Sequence, residues 1–228
     1  NVMPQDEEQN LPEQIRMSRP ILYTYWQSSC AWRVRIALNL KNVQYESRPV
    51  DIVSKVGPIA DECRRLNPSF KVPVLVHNNR VITESLAIIE YIDEVFPGYR
   101  ILPSDPYRRA VSRSIALHIS SGIQPLQNIS VQKKLNEEGK DRGPKWAKFW
   151  LTRGLEELEE LVKGTAGKFC VGDEVSLADL CLPSILANAR RYERHWGMDL
   201  SPFGTLLRIE KELSVIPAFA ASVRENNK

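Results

Sequence analysis

Two hydroxyls and a thiol stand side by side in Ser28-Ser29-Cys30-Ala31-Trp32-Arg33-Val34-Arg35. The run before them, Pro20-Ile21-Leu22-Tyr23-Thr24-Tyr25, is β-type, and Trp32, Ile36 and Leu40 recur at helical spacing, so the three polar side chains fall at a helix start. First-turn N–H groups lack intrahelical partners and the macrodipole is positive there, which stabilises an anion such as a thiolate. The same residues also fit a purely structural role, with Ser28 or Ser29 as an N-cap and Cys30 as buried filler. The rest of the chain has to decide between the two.

The elements that would position these residues read as follows. Gln44 to Val50 alternates as a second strand, and Pro58 to Leu66 is a short helix closed by Asn67-Pro68. Val72-Pro73-Val74-Leu75-Val76 is a strand whose proline marks an edge, a bulge or a cis bond. His77 to Arg80 is a turn, Val81-Ile82 pairs back across it, and Thr83-Glu84-Ser85 opens a helix with Ile88, Ile89, Ile92, Val95 and Phe96 on one face. Strand, helix, strand, helix, strand, strand, helix is a thioredoxin-like α/β unit, assigned to residues 19–100.

A proline-rich hinge, Leu102-Pro103-Ser104-Asp105-Pro106, makes residues 101–106 a linker, and residues 107–228 read as an all-helical domain. Helices are predicted over 107–121, 144–163, 177–195 and 204–213. Leu151, Leu155, Leu158 and Val162 give the second its apolar stripe. Ser176 and Asp179 form a capping box with Val175 and Leu180 as staple, a motif assigned to folding alone.

The formal net charge of +3 is spread along 228 residues with no basic block, so no nucleic-acid or membrane partner is expected. No apolar run approaches the roughly 18 residues of a bilayer span. Residues 1–18 carry Asp6, Glu7, Glu8 and Glu13 and read as a disordered extension, unlike a secretory signal or transit peptide. Cys30, Cys63, Cys170 and Cys181 are far apart with no C-x-x-C pair, so no zinc or dithiol motif is written locally, and their scarcity suits a reducing, cytoplasmic setting. His77, His118 and His195 are separate, so no metal is expected.

Val72-Pro73, Glu84-Ser85 and the helical second half together resemble a cytosolic glutathione transferase. Three further stretches narrow this to the zeta class, whose members serve as maleylacetoacetate isomerases: Ser28 to Leu38, Gly122-Ile123-Gln124-Pro125-Leu126-Gln127-Asn128 and Cys170-Val171-Gly172-Asp173-Glu174. The resemblance, from Pro20 to Phe219, implies a homodimer with glutathione as cofactor and a small acidic substrate. It implies a catalytic Ser28-Ser29-Cys30 and glutathione contacts from Ser28, Arg33, Val72, Glu84, Ser85, Gln124, Asn128 and Ser130. It also implies that Arg191, with Arg190 beside it, faces the acid. Glu84, where the best-known zeta members carry Gln, leaves the fold untouched, whereas Lys71 and Arg190 bear on substrate preference.

Read without the resemblance, the arginines are a solvated helix face and Gln124-Pro125 a kink. Three functions follow: a zeta-type isomerase that also acts on α-haloacids, a Cys30-centred thiol transferase or dehydroascorbate reductase, and a non-catalytic binding module. Intact Ser28, Glu84 and Ser85 argue against the third, and Ser28 with the Gly122 to Asn128 stretch against the second.

Overall fold

Leu22 and Tyr23 are adjacent in sequence, yet both are buried, because successive side chains of a strand point to opposite faces and β1 (Ile21–Thr24) is covered on each. A computed structural model describes residues 18–223 of the chain. Of the extension expected at 1–18, only Ser18 lies inside the described residues.

In the first unit, which runs to Tyr99, β1 is followed by α1 (Ser29–Leu40), β2 (Glu46–Pro49), α2 (Pro58–Leu66), β3 (Val74–His77), β4 (Arg80–Thr83) and α3 (Ser85–Val95). The sheet order is β2-β1-β3-β4, with β1 parallel to β2 and the other pairs antiparallel. A parallel neighbour requires a crossover, which α1 supplies. The antiparallel pair β3–β4 needs only two turn residues, and Asn78 and Asn79 take φ of 51° and 59°, a left-handed conformation that asparagine tolerates. This is the thioredoxin-like order read from the sequence.

One face of the sheet packs Tyr23, Val50, Val72 and Val74 on Ala60 and Cys63 of α2. Leu22 and Leu75, opposed in register, take the other face, where α3 packs on β3 and β4 and against α1. Lys41, just after α1, is buried, and its Nζ meets the Asp93 carboxylate at 2.9 Å while donating to the Asp93 and Phe96 carbonyls at 3.0 Å. All three ammonium donors are used, which is what makes a buried pair tolerable. The pair joins the C-terminal ends of α1 and α3. Helices of 12 and 11 residues joined there also bring their N-termini to one end.

The second unit, Arg100–Ala221, is helical. α4 (Pro106–Leu117) runs into a π-helical turn (His118–Ile123), followed by α5 (Ile129–Asn136), α6 (Arg142–Lys163), α7 (Leu177–Trp196), α8 (Gly204–Ser214) and α9 (Pro217–Ala220). Leu151, Leu155, Leu158 and Val162 are fully buried, as their spacing predicts. A Cβ on Gly154 would come within 2.6 Å of Ile123 Cγ1, so the π turn lies directly on the α6 backbone. Asp179 does more than cap. It accepts from Ser176 N–H at 2.8 Å and from Cys170 N–H at 2.9 Å, and burial still pushes its carboxyl up. Glu159, buried in α6, accepts from the N–H groups of Thr205 and Leu206 and so caps α8 with a negative charge.

α5 and α9 were not predicted. α5 buries none of its eight residues and so has no apolar stripe to read, and α9 is a single turn. The boundary also differs: the helical unit begins at Arg100, and of the described residues Ser222 and Val223 belong with the first unit. Asn39 Nδ2 donates to Ser222 Oγ at 2.7 Å and Arg35 to the Ser222 carbonyl, so among the described residues the helical unit ends at Ala221, short of the expected 107–228. No helix among the described residues is long and apolar enough to cross a membrane.

Candidate active site

Ser28 is the N-cap of α1, with φ −70° and ψ 118°, and its Oγ accepts from Ala31 N–H at 3.2 Å. The structural role weighed for this residue is therefore real. It does not exclude chemistry, because a hydroxyl has two acceptor sites and one proton to donate. Ser29 and Cys30 are half-buried in the first turn.

The sheet register brings the other groups to the same edge. β1 pairs antiparallel with β3, Tyr23 against Val74, so Val72 lies level with Tyr25 at the exit of β1, and Ser28 is three residues further on. β3 pairs with β4, Val74 against Thr83, so Val72 is also level with Ser85. The Val72–Pro73 bond is cis. Val72 lies outside the ladder, so its backbone N–H and C=O are not spent on strand pairing. Glu84 is exposed at φ 66°, a conformation that costs a non-glycine residue of the order of 1 kcal/mol or more. It precedes an α3 terminus that no side chain caps, with Ser85 buried in its first turn. Ser28, Val72, Glu84 and Ser85 thus share one sheet edge with two helix N-termini. That edge offers a hydroxyl, a run of N–H donors and one carboxylate.

Arg33 is corrected. Expected among the ligand contacts, it is fully buried within α1 and has no surface for a ligand to touch. The residue that sequence reasoning missed is Arg35, also buried, whose Nη1 donates to Thr24 Oγ1 at 3.0 Å and Nη2 to the Trp26 carbonyl at 3.5 Å. It ties down the loop that delivers Ser28. An arginine at an inward helix position is the sequence signal, since a buried guanidinium must find hydrogen-bond partners inside the fold.

In the helical unit, Gln124 is half-buried and follows the π turn, its N–H donating to the Ile119 carbonyl at 3.0 Å. Asn128 caps α5, and its Oδ1 accepts from Ser130 N–H at 3.0 Å and Ser130 Oγ at 2.9 Å. Both expected ligand residues are thus engaged with each other. Trp146 Nε1 donates to the Leu126 carbonyl at 2.9 Å and fixes the intervening loop. Arg190 is bound bidentately by the Glu210 carboxylate, Nη1 at 2.5 Å, which takes its fork away from a substrate. Arg191 is exposed on α7, its guanidinium 5.6 Å from the Tyr192 ring centre.

The four thiols form no disulfide. Burial pushes the Cys63 thiol up and the Cys170 thiol well up, which makes both poor nucleophiles. Among the described residues no cluster of histidine, cysteine and acidic side chains could hold a metal.

A thioredoxin-like sheet with serine at the first helix start, followed by a helical unit, is the plan of a glutathione transferase. The model of the glutathione S-transferase N-terminal domain matches residues 27–95. A probable maleylacetoacetate isomerase of Caenorhabditis elegans is 47% identical over 208 residues, 91% of this chain and 94% of that one. The solved maleylacetoacetate isomerase of Anaeromyxobacter dehalogenans, with glutathione bound in its active site, has a TM-score of 0.82 and 37% identity, covering 92% of this chain and 96% of that one. A maleylpyruvate isomerase described as a zeta-class bacterial glutathione transferase gives a TM-score of 0.82 at 28% identity, covering 91% and 98%. The chain belongs to the maleylacetoacetate isomerases of the glutathione transferase family.

Proposed function

We propose that this enzyme converts maleylacetoacetate to fumarylacetoacetate, a cis–trans isomerisation in the degradation of tyrosine and phenylalanine, with glutathione as cofactor. The observation that carries the reading is the shared edge of Ser28, Val72, Glu84 and Ser85, whose donor set matches glutathione group by group. The α3 N-terminus and Ser85 suit its γ-glutamyl carboxylate, Glu84 its ammonium, the Val72 backbone its cysteinyl amide and Ser28 its sulfur. When bound, glutathione supplies a thiolate that adds to the cis double bond of the diacid and leaves again after rotation, so it is regenerated.

Ser28 keeps that sulfur ionised. A free thiol with pKa near 8.5 is only about 3% thiolate at pH 7, and lowering the pKa by about two units requires about 2.7 kcal/mol. A helix terminus contributes up to about 2 kcal/mol and a hydrogen bond to a charged acceptor about 1.5 to 3, so the arrangement at α1 suffices. Ser29 and Cys30 shape the surroundings of the sulfur. Arg191 meets a carboxylate of the substrate, while Arg190 serves the α7–α8 packing through Glu210. Asn128 and Ser130 are assigned first to the cap of α5, and Gln124 to glutathione. The same thiolate would displace chloride from α-haloacids. The family resemblance supports a homodimer acting in the cytoplasm.

The test is incubation with maleylacetone and glutathione while the maleyl absorbance is followed, beside conjugation of a chloro-aromatic electrophile. Isomerisation is expected to be the faster reaction. Conjugation without isomerisation would make the protein a detoxifying transferase.

A further inference from the structure

The C-terminal turns of α7 line an open cleft of about 320 Å³ within the helical unit, a size at the lower end of small-molecule sites. Its walls are Ile129 of α5, Pro144 of α6 and Trp196. Gln132 and Tyr192 complete it and are occupied with each other, the Tyr192 hydroxyl donating to Gln132 Oε1 at 3.0 Å while Gln132 Nε2 donates to the Gln127 carbonyl at 2.7 Å. The two lining groups that can carry positive charge are Arg191 and His195. They are four residues apart on one helix, so they sit on the same face, one turn apart. Arg191 touches the Tyr192 ring, and neither has a hydrogen-bonding or ion-pairing partner among the described residues.

No carboxylate lines the cleft. The acidic groups nearby belong to the other face of α7, where Glu210 binds Arg190 and Glu193 adds to the same attraction. The groups facing His195 are Arg191 and Tyr192 from its own helix, Ile129 and Gln132 from α5, and Pro144 from α6. A helix C-terminus would ordinarily repel an anion there. Here Lys148 Nζ donates to the carbonyls of Trp196 and Gly197 at 2.8 and 3.1 Å and offsets the negative end of the dipole.

We propose that His195 is the second cationic ligand of this cleft, which takes the carboxylate of a short keto diacid between Arg191 and an imidazolium, with the carbon chain on Ile129, Pro144 and Trp196. The inference rests on the proposed substrate class, because Arg191 is shared by both readings. It makes acid binding depend on pH, because the imidazole adds its charge to that of Arg191 only when protonated, so affinity rises as the pH falls.

2-Oxoglutarate, a keto diacid with no carbon–carbon double bond to isomerise and with both carboxyls ionised across the range, is titrated calorimetrically into the full chain without glutathione between about pH 5.5 and 8. Binding is expected to tighten about three- to fivefold toward low pH, the upper range for an exposed ion pair. His195→Gln removes that slope and leaves the weaker high-pH affinity, and both residues' exposure means the fold is unaffected. Arg191→Ala weakens binding throughout and keeps the slope. No binding, no slope, or a slope that survives His195→Gln overturns the inference, whatever the isomerase assay gives. A His195-dependent slope in a protein without isomerase activity would sink the proposed function and leave the cleft standing.

Discussion

Removing the Ser28 hydroxyl separates two roles that one oxygen performs. As N-cap it accepts from Ala31 N–H, and Ser28→Ala should cost about 0.5 to 2 kcal/mol of stability, whereas Ser28→Gly should cost only a few tenths. As donor to the glutathione sulfur it should be missed equally in both variants. Taking a bound thiol pKa of about 6.5, the thiolate fraction at pH 7 is about 76%, and a rise of one unit lowers it to about 24%, a rise of two to about 3%. Turnover at pH 7 should therefore fall about 3- to 25-fold in both variants, and above about pH 9 the deficit should nearly vanish as the thiol ionises unaided. Thiolate absorbance of the glutathione complex, titrated against pH, reads the pKa directly, and urea unfolding reads the cap. A deficit of the same size at every pH, or an unmoved thiol pKa in Ser28→Gly, would refute the assignment of Ser28 to the sulfur.

Cys30→Ala should keep most isomerase activity while altering KM; loss of turnover, with glutathione found disulfide-linked to Cys30 in the parent protein by mass spectrometry, would favour a thiol transferase. Arg190→Ala should lower stability by breaking the Glu210 fork and leave the KM for diacids unchanged, whereas Arg191→Ala should raise that KM by about tenfold or more with glutathione affinity little moved, as steady-state kinetics will show. His77 is buried, its Nδ1 accepting from Tyr91 OH at 2.8 Å and its Nε2–H donating to the Ser18 carbonyl at 3.1 Å, and desolvation lowers its pKa below the ordinary 6.5. Below that value the unfolded chain binds the proton more readily, so urea-unfolding free energy should drop as the pH falls from about 6.5 through the depressed folded value. His77→Gln should flatten this part of the profile, and an unchanged slope would count against it.

The sequence by itself determined the elements whose signals are local. The two periodicities placed β1 to β4 and the long helices, Ser28 declared a helix start, and the hydrophobic stripe from Leu151 to Val162 declared which side of α6 faces inward. The Ser28, Val72 and Glu84-Ser85 stretches were legible one by one because each carries its own turn or cap chemistry. Tertiary structure decided what those residues meet. Only the strand register puts Val72 level with Ser85, and the packing of α1 against α3, with the buried Lys41–Asp93 pair at their C-terminal ends, holds their N-termini at the same end. Arg190 and Arg191 are identical side chains at adjacent positions, and nothing local separates them. A helix turns about 100° per residue, so one points to Glu210 on α8 and the other into the cleft with His195. Arg33 and Arg35 were equally ambiguous: two residues apart they point to opposite sides of α1, and both are buried because the helix is covered all round from Ala31 to Leu38. Where a side chain's role is set by its distant partners, residue type and spacing underdetermine it, since the cost of burying or pairing a charge depends on groups the local sequence does not contain.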